Sequence, residues 1–297
     1  MAFFRRLVPA GSRVLRVTDD ERFLAELPTA THVVTWHFRK EWFHIAKSLK
    51  YLATPSAGRE LIAWRDAPKK VKVHFGGFHG RTMAEAAAGF MLAWSHGFFR
   101  PEIRDARLGD VPWKDSWPRT AIGAKCSNLR GTFAVVAGYG KVGRAVGAVL
   151  EVLGVRVFGV TRANLAELPK AAAKADWLVL VLPSDTGTDR FLDEKLISML
   201  PRKCVVVNIG RGNAVDEPAL LDALKARRLA GAYLDVFCGE PLNLPQGAGY
   251  ATAKPGTILS ARPNELPDNL VMMPHSSAFS SEYLTSCFRE LKDDGFF

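Results

Sequence analysis

Cysteine is scarce. Cys126, Cys204, Cys238 and Cys287 are the only four in 297 residues, and they stand far apart. None has the short spacing of a metal knuckle and no pairing is evident, which sets aside a disulfide scaffold and a zinc-cluster fold. Buried structural thiols in a reducing compartment, the cytoplasm, are the expectation. Long apolar runs are also missing: nothing approaches the ~20 residues of a membrane span, so no membrane partner is expected. The opening "MAFFRRLVPAGSR" has two arginines but no apolar stretch behind them, and is not read as a signal peptide. Acid is in the minority, with 30 acidic against 40 basic residues and a net charge of +10. The excess is dispersed and forms no run interleaved with aromatics, so nucleic acid is not the expected partner. A basic surface equally attracts small anions and phosphorylated cofactors.

The residues that are present suit a folded protein: 48% hydrophobic and 24% charged, enough for two modest domains and a sizeable core. The first hundred residues hold short β-like runs, "RVLRV", "THVVTW", "LKYLA" and "VKVHF", with the amphipathic "EWFHIAKS" between them. "TMAEAAAGFMLAWSHGFF" predicts a long, mostly buried helix from about Thr82 to Phe99. A proline-bearing stretch to Gly131 reads as a connection between domains. Beyond it the chain alternates regularly. Apolar strands "TFAVVAG", "VRVFGVT", "DWLVLVLP", "KCVVVNIG", "AGAYLDVF" and "NLVMMP" are separated by amphipathic helices, the pattern of a parallel sheet covered on both faces. A last helix, "SSEYLTSCFRELKDD", follows the final strand.

Between the first of these strands and its helix, Gly138, Gly140 and Gly143 spell G-x-G-x-x-G. The first glycine permits the tight turn, the second lets backbone approach a pyrophosphate, and the third lets helix and strand pack closely. The helix N-terminus then offers N–H groups and a positive dipole end to phosphates. Alone the motif is weak; in this strand–turn–helix setting it predicts dinucleotide binding, against a merely packed glycine turn. The end of the next strand lacks the usual acidic residue. A carboxylate there would bind the adenosine ribose and repel a 2′-phosphate. The sequence instead has Thr161 and Arg162, a hydroxyl and a guanidinium fork suited to a phosphate. NADP(H) is favoured over NAD(H), with a solvated surface arginine as the alternative.

Three further segments end predicted strands, where open parallel sheets bind ligands. "VVVNIGRGNAVDE" carries Arg211, "GAYLDVFCGEPL" carries Asp235 and Glu240, and "NLVMMPHSSAF" carries His275. With the glycine turn, these segments resemble the D-isomer-specific 2-hydroxyacid dehydrogenases from about Leu129 to Ala278. The likeness is strongest over "NIGRGNAVDEPALLDALKARRLAGAYLDVFCGEPL" and weaker over "LKYLATPSAG" and "MAEAAAG". It implies a Rossmann-type doubly wound parallel sheet (100–277) and a smaller flavodoxin-like α/β substrate domain (1–99) completed by the C-terminal helix (278–297), with the site in a cleft between them.

The resemblance implies that Arg211, Glu240 and His275 form the catalytic set. Cofactor contacts are implied at Gly138, Gly140, Lys141, Val142, Gly143, Thr161, Arg162, Pro183, Ile209, Gly210 and Asp235, the last to the nicotinamide carboxamide. Ala57 and Gly58 would offer backbone N–H groups to the substrate carboxylate, alongside Arg211 and His275. The chemistry agrees with these roles. Reducing a 2-oxo acid develops negative charge on the carbonyl oxygen, which a cationic His275 protonates. Glu240 on the other ring nitrogen fixes the tautomer, and Arg211 grips the carboxylate with a fork lysine cannot reproduce. No metal is required. The expected activity is an NADP-preferring reductase of small 2-oxo acids, of glyoxylate or hydroxypyruvate type, working as a homodimer. The alternative is a dinucleotide-sensing, corepressor-like interaction protein on the same fold.

Departures from the family pattern stand out. Arg59-Glu60 follows "SAG" in place of an apolar residue and an aspartate; Arg59 either adds a second cation near an acidic substrate or faces solvent. His74 and His79 occupy positions that are more often small or polar, and His79 reads better as a core or surface residue than as one reaching the cleft. The stretch from Thr161 to Asp176 is short, and the glycine- and proline-rich stretch between Glu240 and His275 is long and reads as a surface loop.

Overall fold

The computed structural model describes residues 6–100, 126–240 and 257–297. The chain divides into two compact units. The first comprises Met1–Gly80, Pro183–Thr186 and Ala278–Phe297; the second comprises Arg81–Leu182 and Gly187–Ser277.

The first unit is built on a parallel sheet of β1 (His32–Val34), β2 (Tyr51–Thr54) and β3 (Lys72–Phe75), paired in that order. Alternation along β2 assigns its two faces. Leu52 points into a core with Leu27, Phe38, Trp42, Leu49 and Ile62, to which the short helix α1 (Trp42–Ile45) contributes its buried tryptophan. Ala53, with Tyr51 beside it, points the other way, onto Cys287, Leu291 and Phe296. Cys287 and Leu291 are the buried residues of the C-terminal helix Tyr283–Asp293, which covers that face. The helix is also tied through Glu290, whose carboxylate accepts the Gly77 N–H, and through His74, which lies 3.5 Å from Glu290 and 3.4 Å from Asp294. "RVLRV" is not a strand. Leu15 is exposed, Arg13 pairs with Glu26, and among the described residues the run finds no hydrogen-bonded strand neighbour to make its β propensity count.

The second unit carries the six-stranded parallel sheet. Its strands are β4 (Phe133–Ala137), β5 (Arg156–Val160), β6 (Trp177–Leu180), β7 (Val205–Asn208), β8 (Gly231–Leu234) and β9 (Leu270–Met272), in the order β5-β4-β6-β7-β8-β9. The chain leaves β4 toward β5 and returns past it to β6, the reversal that defines a doubly wound sheet. β6, β7 and β8 are buried at every position, which is why their sequences run apolar without alternation. Each fully buried Leu or Val in this core contributes roughly 1.5–3 kcal/mol.

The predicted long helix spans Gly80–Ser95. Almost all of it falls in the second unit, whereas a boundary drawn at residue 99 puts it with the first. Its apolar face explains the placement: Phe90 stacks on Tyr233 at 4.7 Å, and the Trp94 ring covers Gly231 so closely that a Cβ there would overlap it. The connection read between 100 and 131 lies outside the described residues except for Arg100 and 126–131. The long stretch before His275 is described from 257, where it forms the turns Ile258–Ser260 and Pro263–Glu265. Among the described residues no helix is long and apolar enough to cross a membrane. Cys204 and Cys287 are buried and burial pushes both thiols up to about 12, while Cys126 is exposed, against the expectation of a buried thiol there.

One buried carboxylate braces the second unit. Helix Glu217–Lys225 is capped by Asp216, whose side chain accepts the Ala219 N–H. Glu217, in its first turn, accepts the N–H groups of Cys238 (2.6 Å) and Ile258 (2.8 Å). Burial raises its pKa above the ordinary value of 4.5; the two N–H groups pull it back, and the Glu240 charge adds to the rise. Well below 4.5 the group is protonated in both folded and unfolded chains. As pH climbs, the unfolded chain releases the proton first, so this contribution to stability falls until the folded carboxyl has ionised. Urea unfolding of wild type and Glu217→Gln between about pH 4 and 8 should therefore show the variant gaining on wild type with rising pH. A stability difference that does not move with pH contradicts it.

Candidate active site

The predicted residues of the second unit gather at the C-terminal ends of its strands. After β4, Gly138 has φ +94°, and a Cβ there would run into the Val181 carbonyl. Only glycine fits this turn. Gly143, in helix Lys141–Val152, presses against the Gly138 carbonyl, with Val142 buried beside it. Gly140 is the opposite case, with nothing within 4 Å of a Cβ position. It is also the N-cap and brings no side chain to cap the helix. An open cradle over the second glycine and an uncapped 12-residue helix are what a dinucleotide pyrophosphate needs. The residues fit the cofactor. Sequence reasoning missed Tyr139, whose ring lies over Gly147 and Gly159 where any side chain would overlap it. A glycine in mid-helix and another in mid-strand were the available signal.

Thr161 ends β5 and caps the turn Arg162–Glu167. Its hydroxyl donates to Asn164 Oδ1 at 3.0 Å, and its N–H donates to the same oxygen at 2.7 Å. Both Thr161 and Arg162 are exposed. Asn164 in turn donates to the Gly159 carbonyl, so a local polar cap shapes the turn after β5.

At the end of β7, Asn208 is fully buried and organises the loop beyond the strand. Its Oδ1 accepts the Gly210 N–H at 3.1 Å and its Nδ2 donates to the Arg211 carbonyl at 3.0 Å. Ile209 is buried, and a Cβ on Gly210 would meet Leu182 backbone. Arg211 is half-buried, with its guanidinium 2.9 Å from the Gly210 carbonyl oxygen. Asn208 was not anticipated, although a polar residue closing the run "VVVN" marks a buried amide with work to do.

The remaining residues form one connected group. His275 follows β9 with φ +52°, a left-handed backbone rare for a residue with a side chain. Asp235, 1% exposed, accepts the N–H of Ser276 at 2.8 Å and of Ser277 at 3.0 Å, and also the Ser277 hydroxyl. This clamp fixes the turn from its far side. The Asp235 oxygens thus bind the histidine's own loop, a task additional to the carboxamide contact implied from sequence. Glu240 is held the same way: one oxygen accepts the Phe237 N–H at 2.6 Å and the other lies 2.7 Å from His275 Nδ1. With a carboxylate on Nδ1, that nitrogen carries the proton, and Nε2 is the nitrogen left for acid–base exchange.

Ala57, Gly58 and Pro183 belong to the first unit. Ala57 is exposed in the loop after β2, and the Gly58 N–H donates to Ser56 Oγ at 3.0 Å. His79 is buried, edge to face with Phe78 and stacked with Tyr283, in keeping with a core histidine.

Comparison with known proteins agrees with this fold. The family model "D-isomer specific 2-hydroxyacid dehydrogenase, NAD binding domain" matches residues 101–277, more than half of the chain. The glycerate dehydrogenase of Methylorubrum extorquens is 26% identical over 251 residues, covering 83% of this chain and 74% of that one. A putative D-3-phosphoglycerate dehydrogenase of Schizosaccharomyces pombe is 26% identical over 216 residues, covering 69% of this chain. The chain spans only 43% of that protein's length. Among solved structures, an acyclic imino acid reductase in complex with NADPH and D-Arg superposes with a TM-score of 0.70 at 22% identity, covering 92% and 84% of the two chains. The D-lactate dehydrogenase of Aquifex aeolicus, complexed with NAD and lactic acid, does so with 0.68 at 23% identity, covering 91% and 83%. Those two likenesses speak for the fold, and the family model speaks for descent: the chain belongs to the D-isomer specific 2-hydroxyacid dehydrogenases.

Proposed function

We propose that the protein is an NADP-preferring reductase of small 2-oxo acids, of the glyoxylate or hydroxypyruvate type. The observation that carries this reading is the 2.7 Å pairing of Glu240 with His275 Nδ1 at the end of the sheet. A bound nicotinamide supplies the hydride for the carbonyl carbon. The protein supplies the rest. His275, protonated on both nitrogens, gives its Nε2 proton to the carbonyl oxygen as charge develops there, and in the reverse direction takes it back. Glu240 keeps the ring oriented and stabilises the charged imidazole before transfer. Arg211 exchanges its backbone contact for the substrate carboxylate, orienting the 2-oxo group through two parallel N–H donors.

The cofactor preference rests on the residues at the end of β5. No carboxylate stands there to repel a 2′-phosphate, and the Arg162 guanidinium is next to Thr161. With the Thr161 hydroxyl directed to Asn164, Arg162 is the side chain we assign to the phosphate.

Steady-state oxidation of NADPH and NADH with glyoxylate, hydroxypyruvate and pyruvate tests the reading. Turnover with NADPH well above NADH is expected. Binding of either cofactor without turnover would favour a dinucleotide-sensing protein instead. His275→Ala should lower kcat by roughly 10²–10⁴-fold while leaving cofactor affinity nearly intact; unchanged turnover removes histidine from the proton transfer. Arg162→Ala should weaken NADPH by roughly ten-fold or more, and NADH hardly at all. Equal weakening of both would show that Arg162 does not read the phosphate.

A further inference from the structure

His74 has no part in the reduction proposed above, yet the first unit builds a defined setting around it. It is the third residue of β3 and pairs in register with Ala53 of β2. Register partners in a parallel ladder point to the same face, and Ala53 packs toward the C-terminal helix, so His74 does too. From that helix come Glu290 and, one turn on at its C-cap, Asp294. His74 Nε2 lies 3.5 Å from Glu290 Oε2, and Nδ1 lies 3.4 Å from Asp294 Oδ2. One ring nitrogen and one oxygen of each carboxylate all lie within 4.8 Å of one another.

Three features distinguish this group from an ordinary ion pair. The first is distance. Both contacts exceed the roughly 2.7–3.2 Å of a hydrogen bond to nitrogen, whereas Lys203 and Asp176 close to 2.6 Å and His275 and Glu240 to 2.7 Å. They match instead the ~3.4 Å between two ligands that each stand ~2.1 Å from a tetrahedral ion. The second is an unused nitrogen: His74 Nε2 is shut off from solvent and makes no hydrogen bond among the described residues. The third is charge. Two carboxylates in the last turn of a helix sit at the negative end of its dipole, the end that favours cations. Glu290 is also held in place, because the Gly77 N–H donates to both of its oxygens.

We propose that His74, Glu290 and Asp294 bind a divalent transition-metal ion of the zinc class, which staples the C-terminal helix to β3. Nε2 is the nitrogen assigned to the ion, with one oxygen from each carboxylate; Asp294 is exposed and turns to meet it. Water completes the coordination, and the imidazole selects zinc-class ions over magnesium. All three ligands and Gly77 belong to the first unit, so the site is complete within it. The ion's role is structural: it fixes the helix whose Cys287 and Leu291 cover that face of the sheet.

The test uses the full chain without an affinity tag, stripped of metal with EDTA, as wild type, His74→Gln, Glu290→Gln and Asp294→Asn. The last exchanges an exposed side chain for one of the same shape and leaves the helix packing alone. Calorimetric titration with Zn²⁺ should show a site filled by one ion per chain in wild type. Each substitution should weaken it by at least the roughly 10- to 100-fold that losing a mere neighbour of a ligand costs. Mg²⁺ should bind far more weakly than Zn²⁺. Co²⁺ in the same site should absorb as a nitrogen–oxygen complex, without the thiolate band that a cysteine ligand would add. Zn²⁺ should also raise the melting temperature of wild type and not that of Asp294→Asn. Absent zinc binding, equal binding by all four proteins, a cobalt spectrum dominated by thiolate, magnesium binding as tight as zinc, or a melting temperature that zinc leaves unmoved would each overturn the proposal. None of these readouts requires turnover, so the outcome is independent of the reductase reading.

Discussion

A buried carboxylate holding two consecutive backbone N–H groups sets the geometry on which the candidate site depends. Asp235 leaves β8 fully buried, and its oxygens accept Ser276 and Ser277 from the turn beyond β9. Those bonds hold His275 at a positive φ that costs of order 1–3 kcal/mol for a residue with a side chain. Charge-assisted hydrogen bonds of this kind are roughly twice as strong as neutral ones, so three of them on one buried carboxylate offset the strain. The reward is position. His275 Nδ1 meets Glu240, and Glu240 is itself pinned by the Phe237 N–H and braced through its loop by Glu217. Two loops thus hold the proposed acid–base pair before any substrate arrives, so under that reading little reorganisation remains to be done during reaction.

The same economy shapes the cofactor end. Gly138 and Gly143 are close-contact positions, while Gly140 opens toward solvent over an uncapped helix N-terminus. Tyr139 fills a slot that only Gly147 and Gly159 leave free, which locks the turn to helix and strand together. The glycine turn is therefore rigidly packed, and under the proposed reading selectivity for the ribose end falls to the exposed side chains after β5.

Much of this was legible in the residues. Runs such as "WLVL" and "VVVN" read as buried parallel strands because burial on both faces removes alternation, and β6 and β7 are indeed buried throughout. Arg211, Glu240 and His275 are singled out by strand-end placement and family likeness, and the structure brings the last two within hydrogen-bond distance. Other features were hidden for physical reasons. A β-like run such as "RVLRV" becomes a strand only with a partner, and partners are a property of tertiary structure. The alanine-rich helix announced that it would be buried but not against what; its Phe90–Tyr233 stack spans well over a hundred residues of sequence. The hydrogen bond of the Thr161 hydroxyl to Asn164, three residues on, is a local competition that only the folded geometry shows. The clamp by Asp235 joins residues about forty apart, and no spacing rule points to it.

The central claim is that Glu240 acts through His275 and not on its own. A double-mutant cycle on kcat addresses it most directly, using His275→Ala, Glu240→Gln and the two together, with the chosen 2-oxo acid and NADPH. If Glu240 serves only to hold and charge the imidazole, its loss costs little once the histidine is gone, so the double variant should be about as slow as His275→Ala. Losses that multiply would mean the two side chains contribute independently, and the coupled acid–base pair would have to be abandoned.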